Sequence, residues 1–493
     1  MRSIIRRSVF LLASLLGAAC ATCAEPVHIN PEGIGQVLIY PYYTVRNGWT
    51  TLLSIVNNDS ANGKAVKLRF LEGKNGALTA SLNVFLAPND VWTAAILAGT
   101  GSDAPPRLAS NDLSCTFPTL RSATSLAFST RALAADGDAL ALQTVDRLRE
   151  GYFEVIGMAD IPFNRIALSG TLQAQIQNFG YAPTGPACTL VGDVAITNYA
   201  DQITALTGGL SGAATLLNVL GGASAEYSPV AINGFWADGV NAATPALIAS
   251  TSSQPNLSSG GNRIAHNSVG GQAYFSTFAR SIDAVSAVLM TEQLRGEHAY
   301  TVDNTIATSW VITMPTKRFY TQSAAVAPFT SSWDTSNGSA CEDIGLLSFD
   351  RESSPDSVDT CGLGVCPPPP RRALCAAATS VVSGTASLFG EGNAYGFAPI
   401  QNFGNSVTKA GKEGGRIVLT PSSTAAKFSS TTGQTAKIDA ATGDVAISSG
   451  AHAFYGLPMI GLAFTQSSFK TGNPQQNYAS GFRLQSTRRI TTP

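Results

Sequence analysis

The histidines are the first residues to test for chemistry, because imidazole binds metals and carries protons near neutral pH. The chain has four of them: His28, His266, His298 and His452. None lies within five residues of another, so the HExxH type of metal motif is absent. Ser211 in GGLSGA is similar to a nucleophile elbow, but Ala213 stands where that motif requires glycine. We therefore predict no catalytic residues, no cofactor and a protein that is not an enzyme.

Acidic residues offer two further kinds of site. Asp136 and Asp138 flank Gly137 and are weak candidates for calcium ligands, although no acid follows at the position an EF-hand requires. A solvated acidic turn is the simpler interpretation. The acids of CEDIGLLSFDRE (341–352) are a possible glycosidase pair, which depends on separation in space and not on sequence proximity.

Aromatic residues are clustered near the start of the chain. Tyr40, Tyr42, Tyr43 and Trp49 lie within ten residues, and their rings are candidates for stacking on a glycan. Packing in the core and at the edges of a sheet, where tyrosine and tryptophan are favoured, is the simpler interpretation.

Cysteines indicate disulfide bonds. An even number remains after removal of a leader, and an exported chain meets an oxidising compartment. We predict three pairs: Cys115–Cys188, Cys341–Cys375 and Cys361–Cys366. The pairing of the last four stays open, and a zinc site is the rival for them, although their spacing lacks two closely spaced pairs.

The sequence segments around these residues predict β-strands. Residues 36–45 and 50–56 are predicted to form a meander joined by a turn at 46–48. In AVKLRFLEG, Val66, Leu68 and Phe70 alternate with Lys67 and Arg69, which is typical of a half-buried strand. LTASLNVFL (78–86), GYFEVIGM (151–158) and a hairpin over 214–232 continue the pattern.

These strands predict a mainly β fold of antiparallel β-sandwich type with one or two short helices. The apolar spacing of SIDAVSAVLMTEQLRG predicts a helix that ends at Gly296. Four consecutive prolines predict an extended loop pinned by disulfides. The predicted regions are a signal peptide (1–24), an N-terminal sandwich (25–200), a second β-rich region (201–335), a Cys/Pro-rich loop (336–376) and C-terminal strands (377–493).

The first 24 residues have the layout of a secretory signal, with Arg2, Arg6 and Arg7 before a short apolar run and small residues before Glu25. Cleavage there leaves 28 basic and 32 acidic side chains, a net charge of −4. Such a charge argues against nucleic acid as a partner. No later stretch is long and apolar enough to predict a transmembrane helix in the mature chain.

Charged residues are only 13% of the chain, about half of the ~25% usual in soluble domains. Few charges keep neighbouring molecules apart, which favours self-association.

The segments YPYYTVRNGWTTLLSIVNN, KAVKLRFLEGKN and WVITMPTKRFY resemble those of exported, cell-surface-type β-rich proteins of Gram-negative bacteria. The resemblance implies an envelope or extracellular location and implies no activity. We predict a secreted structural protein of the cell surface or extracellular matrix, with the periplasm as an alternative location. Its expected partner is itself or another envelope component. The alternatives are a carbohydrate-binding or adhesive module that binds polysaccharide, and a secreted hydrolase.

Overall fold

The structure is a computed structural model, and it describes residues 25–120, 124–163, 203–237, 252–299, 305–352, 372–383, 388–389, 414–421, 427–438, 442–469 and 476–492. The predicted signal peptide, Cys188, Cys361, Cys366 and the four prolines lie outside the described residues. Within them the chain is mainly β, with antiparallel sheets and few short helices, as the sequence predicts.

The strands are β1 (His28–Ile29), β2 (Val37–Thr44), β3 (Trp49–Asn57), β4 (Asn62–Glu72), β5 (Leu78–Leu86), β6 (Val91–Leu97), β7 (Arg107–Ala109), β8 (Cys115–Phe117), β9 (Ser125–Ala127), β10 (Glu150–Pro162), β11 (Leu210–Asn218), β12 (Ala223–Tyr227), β13 (Val230–Asn233), β14 (Ile264–Val269), β15 (Gln272–Thr277), β16 (Met290–Thr291), β17 (Gln293–His298), β18 (Ile306–Thr313), β19 (Glu342–Asp350), β20 (Ala373–Leu374), β21 (Ala378–Ser383), β22 (Gly415–Pro421), β23 (Phe428–Ser429), β24 (Thr432–Ile438), β25 (Val445–Ser449), β26 (Ala453–Phe454), β27 (Leu457–Pro458), β28 (Ile460–Phe469), β29 (Gln476–Arg483), β30 (Gln485–Thr487) and β31 (Ile490–Thr491).

The helices are α1 (Arg131–Ala135), α2 (Ser281–Leu289) and α3 (Arg318–Thr321), with 3-10 turns at Arg46–Gly48, Leu140–Leu142 and Val145–Arg149.

Two sheets form the N-terminal sandwich. One has seven strands in the order β1-β13-β2-β10-β4-β5-β8, and the other has six in the order β12-β11-β3-β6-β7-β9. Alternate residues of each strand point into the space between the sheets, and Val66, Leu68 and Phe70 of β4 belong to this core.

The seven-stranded sheet is buried on its second face as well. Leu38 and Tyr40 of β2 belong to the sandwich core, whereas Val37 and Ile39 belong to a second core. That second core contains α2 and the C-terminal strands. The sheet is therefore a middle layer shared by both halves of the chain.

The C-terminal strands form smaller antiparallel sheets. The largest has the order β20-β19-β22-β17-β30, and two four-stranded sheets have the orders β21-β18-β28-β29 and β14-β15-β24-β25. A two-stranded sheet, β16-β27, and a three-stranded sheet, β23-β26-β31, complete the set.

The strands β2 and β3 form where the sequence predicts them, but the predicted meander is wrong. Strand β2 pairs with β10 and β13, whereas β3 pairs with β6 and β11 in the opposite sheet. The turn between them has left-handed backbone at Asn47 (φ 48°) and Gly48 (φ 78°). It carries the chain across the core from one sheet to the other.

The boundary predicted at residue 200 does not separate the sheets. Strands β11 and β13 follow that boundary, yet β11 pairs with β3 and β13 pairs with β2. The hairpin of β11 and β12 itself is confirmed.

The helix predicted around Ser281 is present, but its predicted end at Gly296 is wrong. Helix α2 ends at Leu289, and Met290 takes an extended conformation (φ −56°, ψ 127°). The following residues form β17, which pairs with β22 and β30. Pairing with distant strands overrides the local helical pattern.

The strand that contains Lys67 and Arg69 is central and not half-exposed. Strand β4 lies between β10 and β5, and both side chains are buried. Arg69 forms an ion pair with Glu154 of β10, so the polar face predicted for this strand is an interior layer.

The predicted disulfide Cys341–Cys375 is confirmed, with sulfur atoms 1.99 Å apart. It joins the start of β19 to the segment after β20. Cys115 is also disulfide-bonded, and because Cys188 lies outside the described residues, that pairing stays a prediction. Within the described part of the chain, no helix is long and apolar enough to cross a membrane.

Candidate functional site

The aromatic residues predicted as glycan contacts lie inside the protein. Tyr40, Tyr42, Tyr43 and Trp49 are at most 3% exposed. Each also uses its polar atom internally, since Tyr42 donates to Glu150 Oε2 at 2.8 Å and Trp49 Nε1 donates to the Leu388 carbonyl at 2.9 Å. These rings pack in the core and are not available to a sugar, so the structure contradicts the glycan hypothesis for them.

The two calcium candidates are engaged by arginines. Arg318 forms two hydrogen bonds with the Asp136 carboxylate, at 2.6 and 2.7 Å. Asp138 Oδ2 accepts from Arg147 Nη1 at 2.6 Å, and Asp138 Oδ1 accepts from Trp333 Nε1 at 2.7 Å. The described residues contain no cluster of three or more potential metal ligands. The structure therefore assigns both carboxylates to ion pairs and not to a calcium site.

A buried ion network surrounds Arg147. Its guanidinium lies between Asp138 and Glu72, with Arg147 Nη2 3.0 Å from Glu72 Oε1. Burial alone would raise the pKa of Glu72, but Arg147 and the backbone N–H groups of Lys74 and Asn75 offset this and hold the pKa below its ordinary value. The network fixes the turn after β4 against the segment before β10, and this role is structural.

A serine–histidine pair that the sequence does not signal lies in the second half. Ser276 Oγ is 2.7 Å from His452 Nδ1, and Thr435 Oγ1 is 2.9 Å from His452 Nε2. The two partners of the pair are 176 residues apart, so no motif indicates them. Ser276 and His452 are fully buried, and burial lowers the pKa of His452. Both side chains therefore pack in the interior of the described structure.

The acids proposed for a glycosidase pair include Glu342, which is also buried. Its carboxylate accepts from Thr330 Oγ1 at 2.9 Å and from the Ser331 amide at 3.2 Å. These bonds tie Glu342, the first residue of β19, to the loop at Thr330 and Ser331.

Strand β25 is the most distinctive surface feature. It is the outer strand of the sheet β14-β15-β24-β25 and, among the described strands, it pairs only with β24. All its residues are exposed, with Val445 at 42% and Ile447 at 56%. Other outermost strands of five or more residues in the described sheets each have at least one residue that is not exposed, whereas β25 has none.

This edge lacks the features that normally prevent strand-to-strand association. The sequence VAISS contains no charged residue and no proline. Its register with β24 is continuous from Val445 to Ser449, so no bulge turns the edge away. Val445, Ile447 and Ser449 share one face because side chains alternate along a strand. No other described strand pairs with the outer side of β25, and Val445 and Ile447 form an exposed apolar pair on one face of it.

Two segments without a charged residue, LTASLNVFL (78–86) and TLLNVLGG (215–222), belong to or overlap central strands. LTASLNVFL corresponds to β5, between β4 and β8, and TLLNVLGG includes the end of β11, between β3 and β12. The exposed apolar residues of the second segment are Val219 and Leu220, at the turn that follows β11.

Comparisons of the chain with protein families, curated proteins and solved structures found no match.

Proposed function

We propose that this protein is a secreted, self-assembling structural subunit of the cell surface or extracellular matrix, and that β25 is its assembly edge. The observation that carries the proposal is the complete exposure of an uncharged, unbulged edge strand. Export is supported by the basic, then apolar, then small-residue pattern of the first 24 residues. The low fraction of charged residues favours association further.

The simplest contact is antiparallel pairing of β25 with β25 of a second copy around a two-fold axis. With the axis beside Ile447, the two Ile447 side chains are directly opposite on the same face, and Val445 of each copy is opposite Ser449 of the other. Two four-stranded sheets then become one continuous sheet. Backbone hydrogen bonds give the contact its direction, and the isoleucine pair gives it apolar burial.

Extended assemblies need a second contact, because a two-fold contact closes a dimer. The turn after β11 supplies a candidate, since Val219 is 74% exposed and Leu220 is 96% exposed. An apolar pair at a hairpin tip is suited to insertion into a neighbouring subunit.

The test compares wild-type protein with Ile447→Lys by light scattering during size exclusion and by electron microscopy. Wild-type protein is expected to form ordered oligomers whose size rises with concentration. Ile447→Lys removes two apolar side chains from the contact and places two like charges opposite each other, so association is expected to weaken by about tenfold or more.

Leu140→Lys is the matched control. Leu140 is 85% exposed in a 3-10 turn away from any strand edge, so the same substitution there should leave assembly unchanged. A wild-type protein that stays monomeric at high concentration and hydrolyses a polysaccharide or peptide would replace this proposal with the hydrolase alternative.

A further inference from the structure

We propose that a groove on the outer face of the five-stranded sheet binds carboxylate-bearing saccharide units. The groove has a volume of about 470 Å³ and is lined by Arg295, Glu297, Arg416, Phe482, Arg483 and Gln485. It is formed by β17, β22, β30 and the end of β29. It is a different surface from the β25 edge, so the inference goes beyond the proposed assembly.

Each arginine of the groove is held by an uncharged partner. Arg295 Nε donates to Gln293 Oε1 at 3.1 Å, and Arg483 Nη2 donates to the Pro229 carbonyl at 3.1 Å. The guanidinium of Arg416 lies 4.9 Å from the centre of the Phe349 ring. In the described part of the chain, none of the three forms an ion pair with a carboxylate. Glu297 lies directly opposite Arg416 in the β17–β22 register, so the residues that line the groove carry three guanidinium groups and one carboxylate.

The charge of the groove is consequently positive, with three guanidinium groups and the single carboxylate of Glu297. A bound anion would add a charge-assisted partner to these guanidinium groups. Guanidinium groups match carboxylates with two parallel hydrogen bonds, which adds geometric selectivity to the attraction.

The groove rests on a rigid base. Gly296 lies between Arg295 and Glu297, and a Cβ added there would come within 2.3 Å of a Leu484 methyl group and 3.0 Å of the Trp310 ring. Trp310 Nε1 in turn donates to the Glu297 carbonyl at 3.1 Å. The close packing under β17 keeps two of the lining side chains at fixed positions.

The exposed aromatic ring at the groove favours a ligand whose carboxylate is part of a sugar. Phe482 is 38% exposed at the groove, and its ring offers an apolar face for stacking. Gln485 adds an amide that can bond a hydroxyl group. A shallow groove with basic groups, an amide and one ring is suited to an acidic polysaccharide chain that passes over the surface.

The experiment is calorimetric titration of the full-length mature protein with a galacturonic acid hexamer, with neutral maltohexaose and with inorganic phosphate. The hexamer is expected to bind, and maltohexaose and phosphate are expected to bind at least about tenfold more weakly. Arg416→Gln should weaken hexamer binding by about tenfold, and Phe482→Ala should also weaken it.

Arg131→Gln is the matched control, because Arg131 is exposed on α1 and the substitution removes the same charge. Its binding should equal that of the wild type, and thermal unfolding checks that every variant is folded. If Arg416→Gln and Arg131→Gln weakened hexamer binding equally, the effect would come from net charge alone, and the proposed site would be wrong. Equal affinity for the hexamer and phosphate, or full binding by Phe482→Ala, would overturn the saccharide assignment.

Discussion

Several charges in the interior of this β protein are paired with one another, and Arg147 is the clearest case. It is 3% exposed and compensates both Glu72 and Asp138. Lys64 has the same role for Asp59 and Asp160, at 2.8 and 2.6 Å. Interior charges of this kind hold strands and loops in one arrangement.

Replacing Arg147 with methionine is expected to lower the free energy of unfolding by about 3–5 kcal/mol, because two buried carboxylates lose their cation. Chemical denaturation measures the change. The control is Arg280→Met, since the Arg280 side chain is 45% exposed and its partner Asp283 keeps a hydrogen bond from the Tyr320 hydroxyl at 2.8 Å. Its expected loss is about 1 kcal/mol or less. Equal losses in the two variants would contradict a special role for burial.

A buried histidine makes the fold sensitive to acid. Burial lowers the pKa of His298 from 6.5 to about 4. Between these values the unfolded chain binds a proton that the folded protein does not, so this contribution to stability is present above about pH 6.5 and is lost as the pH falls towards 4.

His298→Leu should therefore flatten the dependence of unfolding free energy on pH in this window, by up to about 3 kcal/mol between its ends. Denaturant titrations at several pH values measure it. Parallel curves for the wild type and the variant would show that His298 does not contribute the proton.

The positions of the strands were more predictable from the sequence than the pairing between them. LTASLNVFL matches β5 residue for residue, since alternation and turn residues are local signals. The pairing of β2 with β13 was not predictable, because it joins residues about 190 positions apart and no local pattern encodes it. Trp49 is buried, as the packing interpretation expects, but no local pattern indicates that Leu388 and Phe389 cover it.

At the scale of elements, the Cys341–Cys375 bond ties β19 to the strand region that follows β20. It closes a loop with a sequence separation of 34, so the chain-entropy model expects it to stabilise the protein by roughly 4 kcal/mol. The double variant Cys341→Ser/Cys375→Ser should lose about this amount in denaturant unfolding. An unchanged midpoint would mean that the segment is already held by other contacts, such as the bonds from Lys317 to the Leu374 and Ala376 carbonyls.

Residues from both halves of the sequence contribute to each of the two cores. Phe464 of β28 lies 6.5 Å from the Tyr42 ring and 6.1 Å from the Tyr227 ring, in the core of the N-terminal sandwich. Thr313 at the end of β18 donates to the Pro41 carbonyl of β2. The seven-stranded sheet therefore depends on residues from the far end of the sequence for the packing of its faces.

This shared interior predicts a single cooperative unfolding transition. Phe464→Ala should cost about 3–5 kcal/mol, because it removes a 1%-exposed ring from a packed aromatic group. The loss of stability should affect both halves of the chain, so hydrogen exchange is expected to become faster in both β2 and β18. Phe482→Ala on the neighbouring strand is the control, since that ring is 38% exposed and its loss should cost less than about 1 kcal/mol. If Phe464→Ala accelerated exchange in β18 and left β2 protected, the halves would be separate folding units, and the sandwich would be stable without its C-terminal cover.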